Sequence, residues 1–254
     1  MSVRRNRGIS STQTTLEILQ VVRRLESAGV TEIANELGVA KSTVHRHLTT
    51  LLEDQYLVRE GDAYELSFRF LSLGEYVRTR NARFRTAERK VHHLAERTGE
   101  RCQFIVEEHG YAVYIHVAMG DRAVRTDSAL GKRVPMNAVS AGKAILSRLP
   151  DEQLRDILDR RGLPARTPNT ITDESALLED LQRTRERGFA LNDEESTLGL
   201  RAISVPATDL HGNVIGAFGV SGPTHRFRGD RFREELPDLL LGVVNEFELD
   251  IQHQ

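Results

Sequence analysis

The sequence predicts an α+β protein with two domains, an N-terminal winged helix-turn-helix and a C-terminal domain built on a central antiparallel sheet. Two observations support this fold class. Three helical segments and a hairpin fall within the first 68 residues, and strands and helices then follow without strict alternation. The length of 254 residues fits one or two domains, and an apolar share of 39% is enough for packed cores.

The composition excludes several classes of protein. No apolar run reaches the roughly 18 residues that a membrane span needs, so we expect no membrane association. The basic start MSVRRNRGISS has no apolar segment behind it, which is unlike a secretory signal. Cys102 is the only cysteine, which excludes an intramolecular disulfide and fits a cytoplasmic location. We expect Cys102 to be a buried small residue rather than a reactive thiolate.

The N-terminal elements follow from spacing and turn signals. Residues 12–28 place apolar side chains at helical spacing, and Gly29 is expected to end that helix. VTEIANEL predicts a short helix that ends at Gly38, and a third helix covers roughly residues 42–54. YLVREGDAYELS alternates about a Gly-Asp turn, which is typical of a hairpin. Three helices and a hairpin are the elements of a winged helix-turn-helix.

The chain is expected to divide into four parts. A flexible basic arm occupies residues 1–10, the winged helix-turn-helix residues 11–68, a linker helix residues 69–83, and the C-terminal domain residues 84–254. The arginine-rich, weakly apolar stretch FRFLSLGEYVRTRNAR is what indicates a linker between two packed domains.

The C-terminal domain is predicted to begin with a helix and three strands, RCQFIVEE, AVYIHVA and AVRTDSA. Three helices follow, within SAGKAILSRL, DEQLRDILDR and ESALLEDLQRTRERG, and then a polar loop, LNDEESTLGLR. Two more strands, RAISVPATDL and NVIGAFGVSG, flank a hairpin at His211-Gly212, and a final helix begins near Pro237. This order favours an antiparallel sheet.

The third helix, within VAKSTVHRHLTTL, carries the clearest functional pattern. Val44, Leu48, Leu51 and Leu52 cluster on about a third of its circumference, which is the expected core face. The opposite face carries short hydroxyl side chains around one arginine, and no acid lies between Glu36 and Glu53. An ordinary solvated face would carry Glu and Lys pairs. Hydroxyl groups and arginine suit phosphates and base edges, so we predict that this face binds double-stranded DNA.

Other segments add candidate DNA contacts. The arm with Arg4, Arg5 and Arg7 either tracks a phosphate backbone or is a solubilising terminus, and both interpretations stand. The turn of the hairpin forms the wing. The full set of candidate DNA contacts is Arg4, Arg5, Lys41, Ser42, Thr43, His45, Arg46, Thr49, Arg59 and Tyr64. His45 and His47 lie about 200° apart on a helix, so one ion cannot easily bind both, and we expect no metal and no cofactor.

The sequence resembles the IclR family of transcriptional regulators from residue 12 to about residue 250. TEIANELGVAKSTVHRHLTTL and the wing YELS carry the resemblance in the first half, and GKRVPMNAVSAGKAIL, GLRAISVPATD and AFGVSGP carry it in the second. The resemblance implies a GAF-like effector-binding C-terminal domain and a homodimer or homotetramer that binds a roughly palindromic operator. It also implies a small-molecule effector that alters DNA binding, and control of a catabolic operon.

The resemblance places the effector at seven positions: Ser140, Ala141, Asn192, Asp193, Ala202, Gly219 and Ser221. Strand alternation independently puts Ile215, Ala217, Gly219 and Ser221 on one small face, which either leaves room for a ligand or lets a helix pack closely. Relatives can carry Ser or Cys where this chain has Ala202 and Gly219, so we expect an enlarged pocket. The expected effector is a sugar, a sugar acid or another carboxylate.

Catalysis is the alternative class of function. Ser140, His116 and Asp193 supply the residue types of a hydrolase triad, but the sequence contains no Gly-x-Ser-x-Gly turn around a nucleophile. We therefore expect no catalytic residues and no enzyme activity.

Overall fold

A computed structural model describes residues 8–125 and 129–252, so Arg4 and Arg5 lie outside the described residues. The chain divides into two compact units, Met1–Arg78 and Thr79–Gln254, and the division falls inside the stretch predicted as a linker. No helix in the described part of the chain is long and apolar enough to cross a membrane.

The N-terminal unit contains three helices and a small sheet. The helices are α1 Ser10–Leu25, α2 Val30–Leu37 and α3 Lys41–Glu53, and the strands are β1 Ala28–Gly29, β2 Leu57–Glu60 and β3 Ala63–Leu66. The strand order β1-β3-β2 makes β3 the central strand. A hairpin packed beside three helices is the predicted winged helix-turn-helix.

The end of the first helix differs from the prediction. The helix ends at Leu25 because Glu26 adopts a positive φ of 65°, and Gly29 instead belongs to β1. The N–H of Gly29 donates to the Glu32 carboxylate at 2.8 Å, so this glycine begins α2 rather than ending α1. A two-residue strand is too short to leave a periodic signal in the sequence.

The core of the N-terminal unit explains the position of α3. Val44 and Leu48 are fully buried and Leu51 nearly so, as helical spacing predicts, while Leu52 is half-buried. They pack with Ile18 of α1, among others. This burial fixes which face of α3 is exposed.

Two helices follow the wing. The first is α4 Arg69–Thr79, in which none of the described side chains is buried. The second is α5 Ala82–Thr98, which begins at an Asn81 side-chain cap and ends at Gly99 in the left-handed conformation.

The described strands of the C-terminal unit form one antiparallel sheet in the order β6-β5-β4-β9-β8-β7. Their bounds are β4 Arg101–Glu108, β5 Tyr111–Met119, β6 Arg133–Pro135, β7 Ala190–Asp193, β8 Leu200–Thr208 and β9 Val214–Pro223. The other helices of this unit are α6 Ser140–Leu146, α7 Asp151–Arg161, α8 Glu174–Arg187 and α9 Leu236–Gln252. The predicted α+β class and antiparallel sheet are confirmed.

The sheet is covered on both faces. On one face, Phe104 and Phe218 pack with Phe247 of α9 and with side chains of α5. On the other face, Ile105 and Ala217 pack with α6, α7 and α8. Successive strand residues belong to opposite cores, as the pleat requires.

Two predictions in this unit, one of a strand and one of a loop, are wrong. AVRTDSA contains no strand in its described residues, 123–125 and 129, and the edge strand is β6 instead. The segment LNDEESTLGLR is not a loop throughout, because its first residues belong to β7.

The predicted small face of β9 also needs correction. The pairing between β8 and β9 shifts register at Ala207 and Thr208, so Ile215 packs against the core beneath α5 and α9. Ala217 belongs to the opposite core. A bulge moves one residue to the other face, and the sequence carries no local sign of it.

Candidate functional site

The outer face of α3 is open to solvent. All six candidate contacts on this helix, namely Lys41, Ser42, Thr43, His45, Arg46 and Thr49, are exposed. The first turn contains no acidic residue, and Ala40 at the N-cap offers no side-chain acceptor to the backbone N–H groups. From Lys41 to Thr50 an anionic partner therefore meets no negative side chain on this face, and the exposed Glu53 lies at its far end.

The hydroxyl groups of α3 differ in their availability. Thr49 donates to the carbonyl of His45 at 2.9 Å, and Thr50 donates to the carbonyl of Arg46 at 3.3 Å. Within the described parts of the chain, the side chains of Ser42 and Thr43 make no comparable bond. The start of α3 therefore holds the hydroxyl donors that a phosphate or base could use.

His47 links α3 to α1 and is not one of the open donors. Its Nδ1 lies 2.8 Å from the Thr15 hydroxyl, which also lies 3.0 Å from the carbonyl of Ser11. A hydroxyl has one hydrogen, so the arrangement that satisfies both contacts has Thr15 donating to Ser11 and His47 Nδ1–H donating to Thr15. This bond fixes the start of α1 beside the exposed face of α3.

A groove between α1 and α3 extends this face. Its volume is about 540 Å³, and its lining is Ser10, Ser11, Thr14, Thr43, Arg46, His47, Thr49 and Thr50. The α1 residues were not among the predicted contacts, although a run of hydroxyl residues before the first acid of α1 was a visible signal. A hydroxyl-lined groove beside an arginine fits a sugar-phosphate backbone.

The wing contributes Arg59 but not Tyr64. Arg59 is exposed and bonds the carbonyl of Gly61 at 2.8 Å and the carboxylate of Asp62 at 3.1 Å. Tyr64 is 4% exposed because it lies on the central strand and pairs with Ala28 of β1. The structure therefore places Tyr64 in the core and removes it from the candidate DNA contacts.

The second candidate site is a small cavity in the C-terminal unit, between the start of α6 and the sheet. Its volume is about 50 Å³. Among the described residues its lining is Arg101, Gln103, Ile105, Tyr114, Val139, Ser140, Ala141, Asn192, Ser196, Thr197, Leu200, Arg201, Ala202 and Ser221. Five of the seven predicted effector residues, Ser140, Ala141, Asn192, Ala202 and Ser221, belong to this lining.

Asp193 does not line the cavity. Strand alternation turns Asn192 inward and Asp193 outward, and the Asp193 side chain is 57% exposed. Its carboxylate accepts two bonds from Arg201, one from Nε at 2.6 Å and one from Nη2 at 3.2 Å. Arg201 also donates to the carbonyl of Phe227 at 2.9 Å and lies 5.3 Å from the centre of the Phe232 ring, so this ion pair lies on the sheet face away from α6.

Gly219 does not line the cavity either, and it does not enlarge it. A Cβ at this position would lie 2.6 Å from Ser204 Oγ and 2.9 Å from Gln103 Nε2. The space above the glycine is filled by these two side chains, and Ser204 in turn bonds Ser140 Oγ at 2.8 Å. The expected enlargement of the pocket is therefore wrong at Gly219.

Arg101, Gln103 and Tyr114 are pocket residues that the sequence prediction missed. Arg101 is buried, donates to Gln103 Oε1 at 3.0 Å and lies 5.4 Å from the centre of the Tyr114 ring. Burial lowers the pKa of Arg101, although a guanidinium stays charged throughout the physiological range. The available signal was the alternation of Arg101, Gln103 and Ile105 along β4.

Asn192 and Asn137 have structural roles. Asn192 Nδ2 donates to the carbonyl of Ala138 at 2.7 Å, and its Oδ1 accepts from the N–H of Glu195 at 3.2 Å. Asn137 is buried outside the lining and donates to the carbonyl of Ile171 at 2.8 Å. Both amides tie the pocket wall to neighbouring loops.

The residue types of a hydrolase triad lie apart. Ser140 bonds Ser204 on the face covered by α6, whereas His116 pairs with Phe104 on the strand ladder and belongs to the opposite face. Asp193 is engaged with Arg201. Among the described residues, no three His, Cys, Asp or Glu side chains are grouped as a metal site would require.

Two family models match the chain. The model for the IclR helix-turn-helix domain matches residues 11–61. The model for the C-terminal part of the bacterial transcriptional regulator IclR matches residues 76–246, which is more than half of the chain.

Individual proteins give the same result. The chain is 32% identical to the transcriptional repressor IclR of Escherichia coli K12 over 213 residues, or 82% of this chain and 77% of that protein. The solved structure of Thermotoga maritima IclR matches with a TM-score of 0.80 and 26% identity, over 96% of this chain and 99% of that chain. An IclR homologue from Microbacterium hydrocarbonoxydans, solved with 4-hydroxybenzoate, shares the fold with a TM-score of 0.83 at 21% identity, over 96% of this chain and 100% of that chain.

Proposed function

This chain belongs to the IclR family of bacterial transcriptional regulators, whose members have a DNA-binding helix-turn-helix and an effector-binding C-terminal domain, and we propose how it performs each role. In the proposal, α3 enters the major groove of a roughly palindromic operator, and the protein binds as a homodimer or a dimer of dimers. The effector binds in the cavity beside α6. The protein acts in the cytoplasm, on a catabolic operon.

The observation that supports α3 most strongly is its exposed face of hydroxyl groups around Arg46, which carries no carboxylate between Lys41 and Thr50. Arg46 at the centre of the face has the fork geometry that binds guanine through O6 and N7. Ser42, Thr43 and Lys41 at the start of the helix are placed for phosphates or base edges. The wing residue Arg59 and the arm residues Arg4 and Arg5 supply further backbone contacts in the proposal.

The ligand class follows from the charges in the cavity. The guanidinium group of Arg101 lies on the cavity face, and the lining contains no carboxylate among the described residues. The guanidinium group of Arg201 binds Asp193 and the carbonyl of Phe227 on the other face of the sheet. The planar guanidinium group of arginine binds a carboxylate through two parallel hydrogen bonds. The hydroxyl groups of Ser140 and Ser221 suit an additional hydroxyl group on the ligand. The Microbacterium homologue was solved with an aromatic carboxylate, 4-hydroxybenzoate. We therefore place sugar acids and other small carboxylates ahead of neutral sugars.

Regulation then requires a difference in affinity. An effector changes DNA binding only to the extent that it binds one arrangement of the protein more tightly than another. The same coupling free energy must appear in both directions, so DNA must change effector affinity by the same factor.

A selection experiment tests the proposed DNA recognition. The full-length protein is incubated with randomised duplexes, and retained DNA is sequenced after several rounds, with and without a panel of small carboxylates. We expect enrichment of a palindromic sequence with half-sites about one helical turn apart, roughly 34 Å. No enrichment at any salt concentration, with or without the carboxylates, would contradict the proposal.

A further inference from the structure

The size of the C-terminal cavity is the starting point. About 50 Å³ accommodates a few water molecules, whereas cavities that hold small ligands commonly measure roughly 300–1,000 Å³. A sugar acid or an aromatic carboxylate does not fit unless part of the wall moves. The question is which part of the wall is built to do so.

Most of the wall belongs to rigid elements. Arg101, Tyr114 and Ser221 lie on paired strands of the sheet, and Ser140 and Ala141 lie on the buried helix α6. Apart from Val139, which immediately precedes α6, the exception is the connection from β7 to β8, residues 194–199, which carries Ser196 and Thr197 into the lining. We call this connection the cover segment.

The cover segment is held by one buried side chain. The Glu195 carboxylate binds Lys143 Nζ through both oxygens, at 2.8 and 2.7 Å, and Lys143 on α6 is 1% exposed. Asp180 of α8 lies 3.0 Å from the same ammonium group. This second carboxylate adds to the electrostatic attraction on Lys143. Burial raises the pKa of Glu195, and the charge of Lys143 works against that rise.

Two hydroxyl groups hold the backbone of the same segment. Thr167 donates to the carbonyl of Glu194 at 2.7 Å, and Thr170 donates to the carbonyl of Glu195 at 2.5 Å. These neutral bonds are weaker than a charge-assisted pair in a buried site. The Glu195 carboxylate is therefore the strongest single attachment of the cover segment.

We infer that Lys143 and Glu195 are a positioning pair that holds the cover segment over the cavity and controls the entry of ligands. Lys143 lies on the helix that also carries Ser140 and Ala141, so one short helix contributes both a pocket wall and the attachment of its cover. A ligand that displaces Ser196 and Thr197 has to strain or break this pair. The inference rests on the proposal that this cavity is the effector site.

The test measures access to the cavity without needing an identified ligand. Ser140→Cys places a thiol of similar size in the lining, and the only native thiol, Cys102, is fully buried with a pKa that burial raises to about 12. Iodoacetamide at pH 8 then reports opening at position 140. The rate is measured by mass spectrometry in the full chain, and the same variants without Ser140→Cys give the background at Cys102.

Three variants in the Ser140→Cys background define the result. Glu195→Ala removes the attachment but leaves Lys143 paired with Asp180, so no buried charge is stranded, and we expect labelling about tenfold faster or more. Glu195→Gln keeps a neutral acceptor and is expected to fall between Glu195→Ala and the parent. Glu246→Ala removes a carboxylate that binds Lys90 at 3.0 Å on the surface, and it is expected to leave the rate unchanged.

An unchanged rate in Glu195→Ala would overturn the inference. A faster rate that appears equally at Cys102 would also overturn it, because the whole domain would then be loosened. The assay needs neither DNA nor an effector. Failure to find an operator or an effector would therefore contradict the proposed function without altering the labelling result. An unchanged labelling rate would contradict this inference without altering the results on operator and effector binding.

Discussion

The candidate DNA face and the C-terminal cavity both gather polar side chains, but they satisfy them in opposite ways. On α3, the hydroxyls of Ser42 and Thr43 and the guanidinium of Arg46 are exposed. In the cavity, Ser140 is bonded to Ser204, and Asn192 is bonded to the carbonyl of Ala138. A buried polar group must find its partner within the protein, whereas an exposed one is free to bind a macromolecule.

The difference predicts how substitutions act in the two regions. Changes on the α3 face should alter DNA affinity and leave folding stability almost untouched, because those side chains support no core. Changes around the cavity should alter folding stability first, because each polar group there is part of a packed network. Three variants test this contrast, in order of decreasing effect.

Lys143→Met should have the largest effect. It leaves the Glu195 carboxylate buried without its cation, whereas Asp180 keeps Arg183 at 3.3 Å. Breaking a buried pair in this way costs about 3–5 kcal/mol of unfolding free energy. Denaturant titration of the purified protein measures the loss. Lys90→Met, which removes a lysine from two surface carboxylates, is the matched control and should cost less than about 1 kcal/mol. Equal losses in the two variants would contradict burial as the cause.

Gly219→Ala should have a smaller effect in the same region. The new Cβ would lie 2.6 Å from Ser204 Oγ, and overpacking of this kind costs about 1–3 kcal/mol. Gly242→Ala in α9 is the control, because its Cβ would meet no described atom within 4 Å, and it should stabilise the helix by about 0.5–1 kcal/mol. Thermal unfolding of both variants checks the opposite signs. A stabilised Gly219→Ala variant would show that the space above residue 219 is not filled by Ser204 and Gln103.

The double substitution Ser10→Ala, Ser11→Ala should have the smallest effect, which should be on DNA binding, and should leave the folding stability unchanged. Both residues line the groove beside α3, and each lost hydroxyl contact to a phosphate should cost about 0.5–1.5 kcal/mol of DNA binding. The loss should be the same on selected and unrelated duplexes, because phosphates carry no sequence information. Fluorescence anisotropy on both duplexes measures it. A loss confined to the selected duplex would make these serines base contacts instead.

The contrast also explains which features were predictable from the sequence. The α3 face lies on one helix, so its 3.6-residue period separates Val44 and Leu48 from Thr43 and Arg46 without any knowledge of the fold. Tyr64 was misjudged because its burial depends on β1, a strand of two residues in another part of the chain. Sequence periodicity is sufficient to predict a face only where all of its side chains lie on one helix or strand.

The cavity draws on α6 and five strands, so its lining depends on register. Ser140, Asn192 and Ala202 were expected from the resemblance to the IclR family, and they do line it. Arg101 and Gln103 were missed because nothing in RCQFIVEE shows that β4 pairs with β9. The bulge that moves Ile215 and the side chains that fill the space above Gly219 are likewise properties of packing between distant segments.

The central claim, that α3 reads DNA sequence through Arg46, is tested most directly by one binding comparison. Arg46→Ala is measured against the selected duplex and against an unrelated duplex, with Arg23→Ala at the far end of α1 as the control. We expect Arg46→Ala to lose about 1–3 kcal/mol on the selected duplex and much less on the unrelated one, with little change for Arg23→Ala. An equal loss on both duplexes would make Arg46 a phosphate contact and contradict the claim.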